Sequence, residues 1–347
     1  MNAMLALLFL VAAAGISWAV AGWVERHADM LRLVQAPNHR SLHERPTPHG
    51  GGLGIVLAGS MAGAVLVISG QTEFFGIITL ALLLAGVGLC DDIAHLSSRL
   101  RLSAQVIACA GLLWLLPPLP GIAFPGGLVL QGPLLFALLL LAGVWWVNLF
   151  NFMDGIDGIA GSQAIFMLLA AVTIGLLAQT LPLSATLTAE CIWMLAVAAA
   201  TLGFLLRNWP PARIFMGDVG STWLGFMIYA LALGSVAAGW LTYTAWLVLG
   251  ALFATDATVT LLRRIVAGRN GAEAHRSHAY QHLARRAGSD RTRGHCNVTL
   301  LAIAINLFWL APLSWASLMW PQGVWGWVAL AYAPLGVAVW RVGAGRD

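Results

Sequence analysis

Charge is what this sequence has least of. Only 9% of its 347 residues are Asp, Glu, Lys or Arg, against about 25% in an ordinary soluble domain, and that excludes a water-soluble globular fold. Lysine is missing altogether, so all eighteen Lys/Arg positions are arginines. Four cysteines stand singly at 90, 109, 191 and 296, which leaves neither a disulfide framework nor a cysteine metal pair. Long polar stretches and internal repeats are lacking too, so no separate soluble domain is expected. What remains is 60% hydrophobic, with sixteen Trp and thirteen Phe and a mean hydropathy of +0.83. Such a chain is an integral membrane protein, its aromatics serving as interfacial anchors and packing bulk. The missing lysine and the wealth of Ala, Leu and Gly fit a GC-rich bacterial genome.

Apolar runs of bilayer-spanning length fall near 1–24, 51–69, 74–90, 104–119, 132–150, 163–181, 189–206, 221–237, 240–262, 297–319 and 323–341. The fold class expected is therefore all-α: a polytopic transmembrane helical bundle of about eleven spans, forming one domain over 1–347. No basic residue precedes the first run, so it reads as an uncleaved anchor with its N-terminus outside. Alternating from there puts segments 25–50, 91–103, 207–220, 263–296 and 342–347 on one side. All eighteen arginines lie on that side or at its boundary, while the opposite loops carry Glu73 and Glu190. By the positive-inside rule that face, and the C-terminus, are cytoplasmic. The net charge of +4 is thereby explained by topology, and no nucleic-acid partner is expected.

Function is then confined to the cytoplasmic loops and the helix ends framing them, at 25–50, 91–103, 148–162, 207–220 and 263–296. The densest stretch is NLFNFMDGIDGIAG at 148–161. Asn148, Asn151, Asp154 and Asp157 fall three apart, which on a helix makes a slowly drifting polar stripe beside Gly155, Gly158 and Gly161. Oxygen donors beside bare backbone suit a hard cation and a phosphate. A glycine-packed helix with internally bonded Asn and Asp is the plainer alternative.

The other loops carry similar chemistry. In the first, Arg40 and His49 flank a glycine run at 50–52 whose N–H groups could hold an anion. In the second, the adjacent carboxylates Asp91 and Asp92 end an apolar run, where their repulsion is costly unless a cation or a proton-transfer task uses them. In the fourth, Asp218 stands between two glycines on a turn suited to a divalent ion, and Ser221 is placed to cap the next helix. Arg213 precedes it. The fifth carries His275, His278, His282 and His295 among eight arginines. No third ligand completes a zinc set with His275 and His278, so an anion-binding loop fits better, with Arg276 and His278 as phosphate partners. Asp256 lies two turns inside the preceding span, with no partner evident from sequence.

In order, PTPHGGG at 46–52, the Asp91-Asp92 pair, NLFNFMDGIDG at 148–158, RIFMGDVGS at 213–221 and the histidine loop resemble the polyprenyl-phosphate N-acetylhexosamine-1-phosphate transferases, glycosyltransferase family 4. The resemblance covers nearly the whole chain. It implies transfer of a sugar 1-phosphate from a UDP-sugar to undecaprenyl phosphate at the bacterial inner membrane, with release of UMP and use of Mg2+ (or Mn2+). Carried over by motif, Asn151 and Asp218 are expected as metal partners. Asp91 and Asp92 would handle the lipid phosphate, Asp154 and Asp157 would be needed for activity, and Arg276 and His278 would form a pyrophosphate-binding histidine loop; Asn148, Arg40, His49, Arg213 and His275 are the further candidates for binding substrate phosphates. A homodimer is compatible with such a bundle.

The muramoyl-pentapeptide branch has a Lys after the Asp pair and a three-His box, whereas this chain has His95 and the loop AHRSHAYQ at 274–281. The resemblance therefore points to the branch initiating O-antigen or similar surface polysaccharides, with a UDP-linked N-acetylfucosamine, N-acetylquinovosamine or N-acetylglucosamine donor. A secondary transporter of an anionic solute is the competing class, since intramembrane carboxylates and broken helices serve there too. Its disadvantage is that the polar motifs cluster on one side, without a repeated half.

Overall fold

The structure is a computed structural model and describes residues 3–35, 47–181, 188–269, 276–286 and 290–346. It is a bundle of α-helices. These are α1 (Ala3–Leu31), α2 (Leu53–Ile68), α3 (Phe74–Ala94), α4 (Ser98–Leu115), α5 (Gly132–Phe152), α6 (Ile159–Leu177), α7 (Ala189–Asn208), α8 (Asp218–Ala237), α9 (Tyr243–Leu249), α10 (Ala251–Val266), α11 (Ala279–Arg285), α12 (Arg291–Ile305), α13 (Ala311–Met319) and α14 (Val324–Val342). Two short antiparallel pairs accompany them, β1 (Val34–Gln35) with β2 (Thr47–Pro48), and β3 (Ile122–Ala123) with β4 (Val129–Leu130).

Every predicted span coincides with a helix or a helix pair. Eight meet the length and apolarity of a membrane crossing, and a ninth joins them if the bent pair α9–α10 is one span. The first eight include one continuous run, Arg291–Met319, made of α12, a π-helical turn and α13. Helix α2 is shorter, at 16 residues, and α4 opens with two arginines. Several starts are side-chain capped: Ser97 accepts from Leu100 N–H, Thr188 from Cys191, Thr242 from Ala245 and Asp290 from Arg293.

Helix α8 is the centre of the bundle. Trp223, Leu224, Phe226 and Met227 on it are wholly buried, and it packs against α3, α5 and α2. The start of α8 can approach α3 because residue 88 is glycine. A Cβ there would lie 2.7 Å from the Asp218 carbonyl carbon, well inside van der Waals contact, so only glycine lets the two backbones meet.

The predicted single span 240–262 is broken. α9 and α10 meet at Gly250 with a 73° bend, which frees a carbonyl in a region without water. Gln163 of α6 donates to that carbonyl of Leu249 at 3.2 Å, and its own oxygen accepts from Asn306 in the π-turn at 2.7 Å. A broken membrane helix is tolerated where neighbours re-satisfy its backbone. Gln163→Leu leaves both the carbonyl and the Asn306 amide unmet, and we expect it to destabilise the fold by about 1–2 kcal/mol. A lower thermal midpoint in detergent checks this, and an unchanged midpoint would refute the role given to Gln163.

Candidate active site

The described parts of the polar segments are tied together at one end of the bundle. The carboxylate of Asp92, in the last turn of α3, accepts the N–H groups of Asp218 at 2.9 Å and Val219 at 3.0 Å, so it caps α8 from another helix. The expected local cap, Ser221, instead donates to the carbonyl of Gly217 at 3.1 Å. Gly217 has φ +77, and a Cβ on it would lie 2.7 Å from Asp92 Oδ2, so glycine both makes the turn and admits the carboxylate. This cap is also a stability element. Asp92→Asn keeps one acceptor of two, and we expect a lower thermal midpoint together with lost turnover, worth about 1 kcal/mol in stability.

Asp91 accepts from Leu96 N–H at 2.6 Å and from Arg101 Nη1 at 2.6 Å. The same guanidinium nitrogen lies 3.5 Å from Asp218 Oδ2, so Arg101 holds two carboxylates from opposite sides of the cleft. Asp218 Oδ1 accepts from the Asn151 amide at 2.8 Å, and that amide also donates to Ser221 at 2.8 Å. Asp154 sits half-buried on the turn after α5. Burial first, then the carboxylates of Asp218, Asp92 and Asp157, raise its pKa well above the usual carboxylate range. The carboxyl groups of Asp91, Asp92, Asp154 and Asp218 therefore gather in one place, at the ends of α3 and α5 and the start of α8.

The predicted stripe is not helical throughout. α5 ends at Phe152, and a turn over 153–158, with Gly158 at φ +78, restarts the chain as α6. Asp157 consequently points away from the cleft. It is 5% exposed, accepts from Ala212 N–H at 3.0 Å and lies 3.3 Å from His295 Nδ1, pinning the turn to the 209–217 loop and to α12. Asn148 is also spent elsewhere, donating at 2.6 Å to Gln105 of α4.

In the glycine run, expected to offer N–H groups to an anion, two of the three glycines give theirs to protein instead. Gly51 N–H donates to the carbonyl of Phe215 and Gly52 N–H to that of Met216, both at 2.9 Å. Arg213 lies outside the cleft, 67% exposed, and pairs with Glu25 of α1 at 3.1 Å. His49 stays near the Asp pair. Its buried Nδ1 lacks a hydrogen bond, and burial, then neighbouring His95, hold it below the ordinary imidazole range.

His278, expected to face phosphate, is 4% exposed and directs Nδ1 at Asp256, 3.3 Å away. That finding supplies the partner of Asp256 that sequence could not. Arg276 borders the same turn and is partly exposed. Arg40 and His275 fall outside the described residues.

Arg101, Gln105 and Ser221 complete the site without having been singled out as site residues. A signal for Arg101 exists, since a cation in the first turn of a helix opposes the macrodipole and needs an acidic partner. Gln105 follows it by four residues, on the same face of an apolar helix.

The fold and site define a polytopic helical membrane protein whose acidic and amide groups gather at one end of the bundle. Its sequence matches the model of glycosyl transferase family 4 over residues 74–236, from the start of α3 to the end of α8. It is 30% identical to a decaprenyl-phosphate N-acetylglucosaminephosphotransferase of Mycobacterium leprae over 80% of this chain and 76% of that protein. A probable undecaprenyl-phosphate N-acetylglucosaminyl 1-phosphate transferase of Bacillus subtilis is 32% identical over 60% of this chain and 57% of its own length. A phospho-N-acetylmuramoyl-pentapeptide-transferase of Heliobacterium modesticaldum is 31% identical over 74% of this chain and 81% of its own length. The chain belongs to glycosyl transferase family 4, as one of its polyprenyl-phosphate sugar-1-phosphate transferases.

Proposed function

We propose that the protein transfers an N-acetylated hexosamine 1-phosphate, or its 6-deoxy analogue, from a UDP-sugar to undecaprenyl phosphate at the inner membrane, as the first membrane step of O-antigen or related surface polysaccharide synthesis. An oxygen of the lipid phosphate attacks the sugar-bearing phosphorus. The bond to the uridine-bearing phosphate breaks, and UMP leaves. The observation carrying this reading is the convergence of Asp91, Asp92, Asn151, Asp154 and Asp218 on one cleft at the arginine-rich end. That end is cytoplasmic by the positive-inside rule, with the N-terminus outside, so a soluble donor meets a membrane acceptor there.

The residues fit a magnesium ion. Asp218, Asp91 and, after a half-turn of its amide, Asn151 are hard oxygen donors facing one another. Mg2+ is an ion commonly held by one or two carboxylates plus waters and substrate phosphates, and two carboxylates with one amide are the donors these residues offer. A bound Mg2+ would neutralise charge on the diphosphate and on the departing UMP. Arg101 supplies a fixed positive charge between the two carboxylates, within reach of an incoming phosphate.

Direct attack by the lipid phosphate is favoured over a covalent intermediate on the Asp pair. Both oxygens of Asp92 accept backbone N–H groups of α8, and those of Asp91 hold Leu96 and Arg101. Carboxylate oxygens committed to such bonds are less free to act as nucleophiles. Asp154, whose affinity for a proton is raised by burial and by the neighbouring carboxylates, is the group suited to accept the lipid phosphate's proton.

His95 after the Asp pair and the HRSHAYQ loop support the surface-polysaccharide branch over the muramoyl-pentapeptide one. The names of the mycobacterial and Bacillus relatives favour N-acetylglucosamine among the donors. Incubating purified protein with undecaprenyl phosphate and a panel of UDP-sugars, reading UMP, tests class and donor together. The expected result is release with one N-acetylated donor and none without lipid; solute uptake into vesicles without UMP would overturn it.

A further inference from the structure

The histidine turn and the acidic turn meet at one side chain. Tyr280, 4% exposed, donates its hydroxyl to the carbonyl of Phe152 at 3.0 Å. α5 ends at Phe152, so this carbonyl is one of those a helix leaves without an internal donor. The backbone of Gly155 lies against the same hydroxyl. A Cβ on Gly155 would run into it and come within 3.0 Å of Gln281 Nε2, so glycine is what lets the two turns touch. One phenol oxygen thus meets the chain at 152 and at 155, and Asp154 stands between.

This contact matters because, among the described residues, no hydrogen bond holds the Asp154 carboxyl itself. What acts on it is burial and the charges of Asp218, Asp92 and Asp157, and like charges push a loosely tied carboxylate away. Its place beside Asp218 is therefore set through its backbone. The latch is itself anchored. Asp256 of α10 accepts the N–H of Tyr280 at 3.0 Å and that of Ala279 at 2.9 Å. The ring of His278 stacks on the phenol with centroids 5.6 Å apart, and Gly345 N–H, just beyond α14, donates to the carbonyl of Ser277 at 2.7 Å.

We infer, resting on the reaction proposed above, that Tyr280 is a positioning residue for Asp154: its hydroxyl fixes the 152–155 turn and so holds that carboxyl where it takes the lipid phosphate's proton, without itself touching either substrate. Tyr280→Phe removes the hydroxyl and keeps the buried ring, so it tests this role alone.

The expected result is a kcat per folded protein lowered about 10-fold, with the KM for the UDP-sugar and that for polyprenyl phosphate each within about twofold. The Mg2+ concentration giving half the full rate should not move, because Asn151 is tied separately to Asp218 and Ser221. An unchanged kcat would overturn the inference. So would a rise in either KM at constant kcat, which would put Tyr280 against a substrate, or a raised Mg2+ requirement, which would place its effect at Asn151. Hydrogen exchange over residues 153–157 in substrate-free protein reads the latch without activity. Faster exchange in Tyr280→Phe than in wild type is expected, and equal protection would refute the latch. Should Tyr280→Phe fail to fold, Asp256→Asn loosens the anchor and leaves the hydroxyl; it should lower kcat about threefold and speed the same exchange, and no change in either would refute the inference. A wild-type protein releasing no UMP would overturn the reaction instead, leaving the latch to be judged by exchange.

Discussion

Asp218→Asn is expected to lower UMP release at least ~100-fold while leaving the protein folded, the scale seen when a group stabilising transition-state charge is removed. Asp218 is the first residue of α8, and its backbone N–H, not its side chain, receives the cap from Asp92. The amide can therefore replace the carboxylate without loosening the helix start. What it removes is negative charge at the point where Asn151 and Arg101 face each other across the cleft, 2.8 Å and 3.5 Å from the two oxygens. The measurements are turnover and thermal midpoint on purified protein. Near wild-type turnover would defeat the assignment of the site, and a collapsed midpoint would mean the carboxylate serves the fold. Asp92→Asn provides the contrast, since there both quantities should fall.

Stripping divalent cations is expected to abolish activity, and adding Mg2+ or Mn2+ to restore it, again over at least ~100-fold. The physical reason is charge. A lipid phosphate must approach a diphosphate in a cleft that already holds Asp91, Asp92, Asp154 and Asp218, and Arg101 is the cation that the structure brings into direct contact with two of them. One guanidinium does not balance that assembly together with two substrates. Turnover assayed in excess chelator, then with each metal added back, decides the matter. Full activity in chelator would contradict the proposal.

Much of this was legible in the chain. Apolar runs of membrane length locate helices because, without water, each backbone group must bond within its own segment, and every predicted span has its helix or helix pair. The acidic motifs were legible for a related reason. Asp91, Asp92, Asp154 and Asp218 beside hydrocarbon are too costly to be incidental. The direction of each side chain was not. Asn148 and Asn151 are one turn apart on α5, yet one bonds to Gln105 of α4 and the other to Asp218 of α8. Asp154 and Asp157, read as a continuing stripe, were divided by a turn whose shape depends on Gly158 and on bonds to Asn208 and His295. The glycines at 51 and 52 read as an anion cradle because their N–H groups looked unclaimed, and the carbonyls that claim them come from residues 215 and 216.

By itself the sequence determined that this protein is a helical membrane bundle, which end carries its chemistry, and which family reaction that chemistry resembles, because hydropathy, charge asymmetry and motif order are properties of the chain. Only the tertiary structure decided which carboxylates share a cleft, that Asp92 caps a helix from a distance, that Arg101 bridges Asp91 and Asp218, and that Asp256 holds the histidine turn. Each of these depends on two segments, some of them more than a hundred residues apart, meeting within hydrogen-bond distance, and linear spacing carries no information about such meetings.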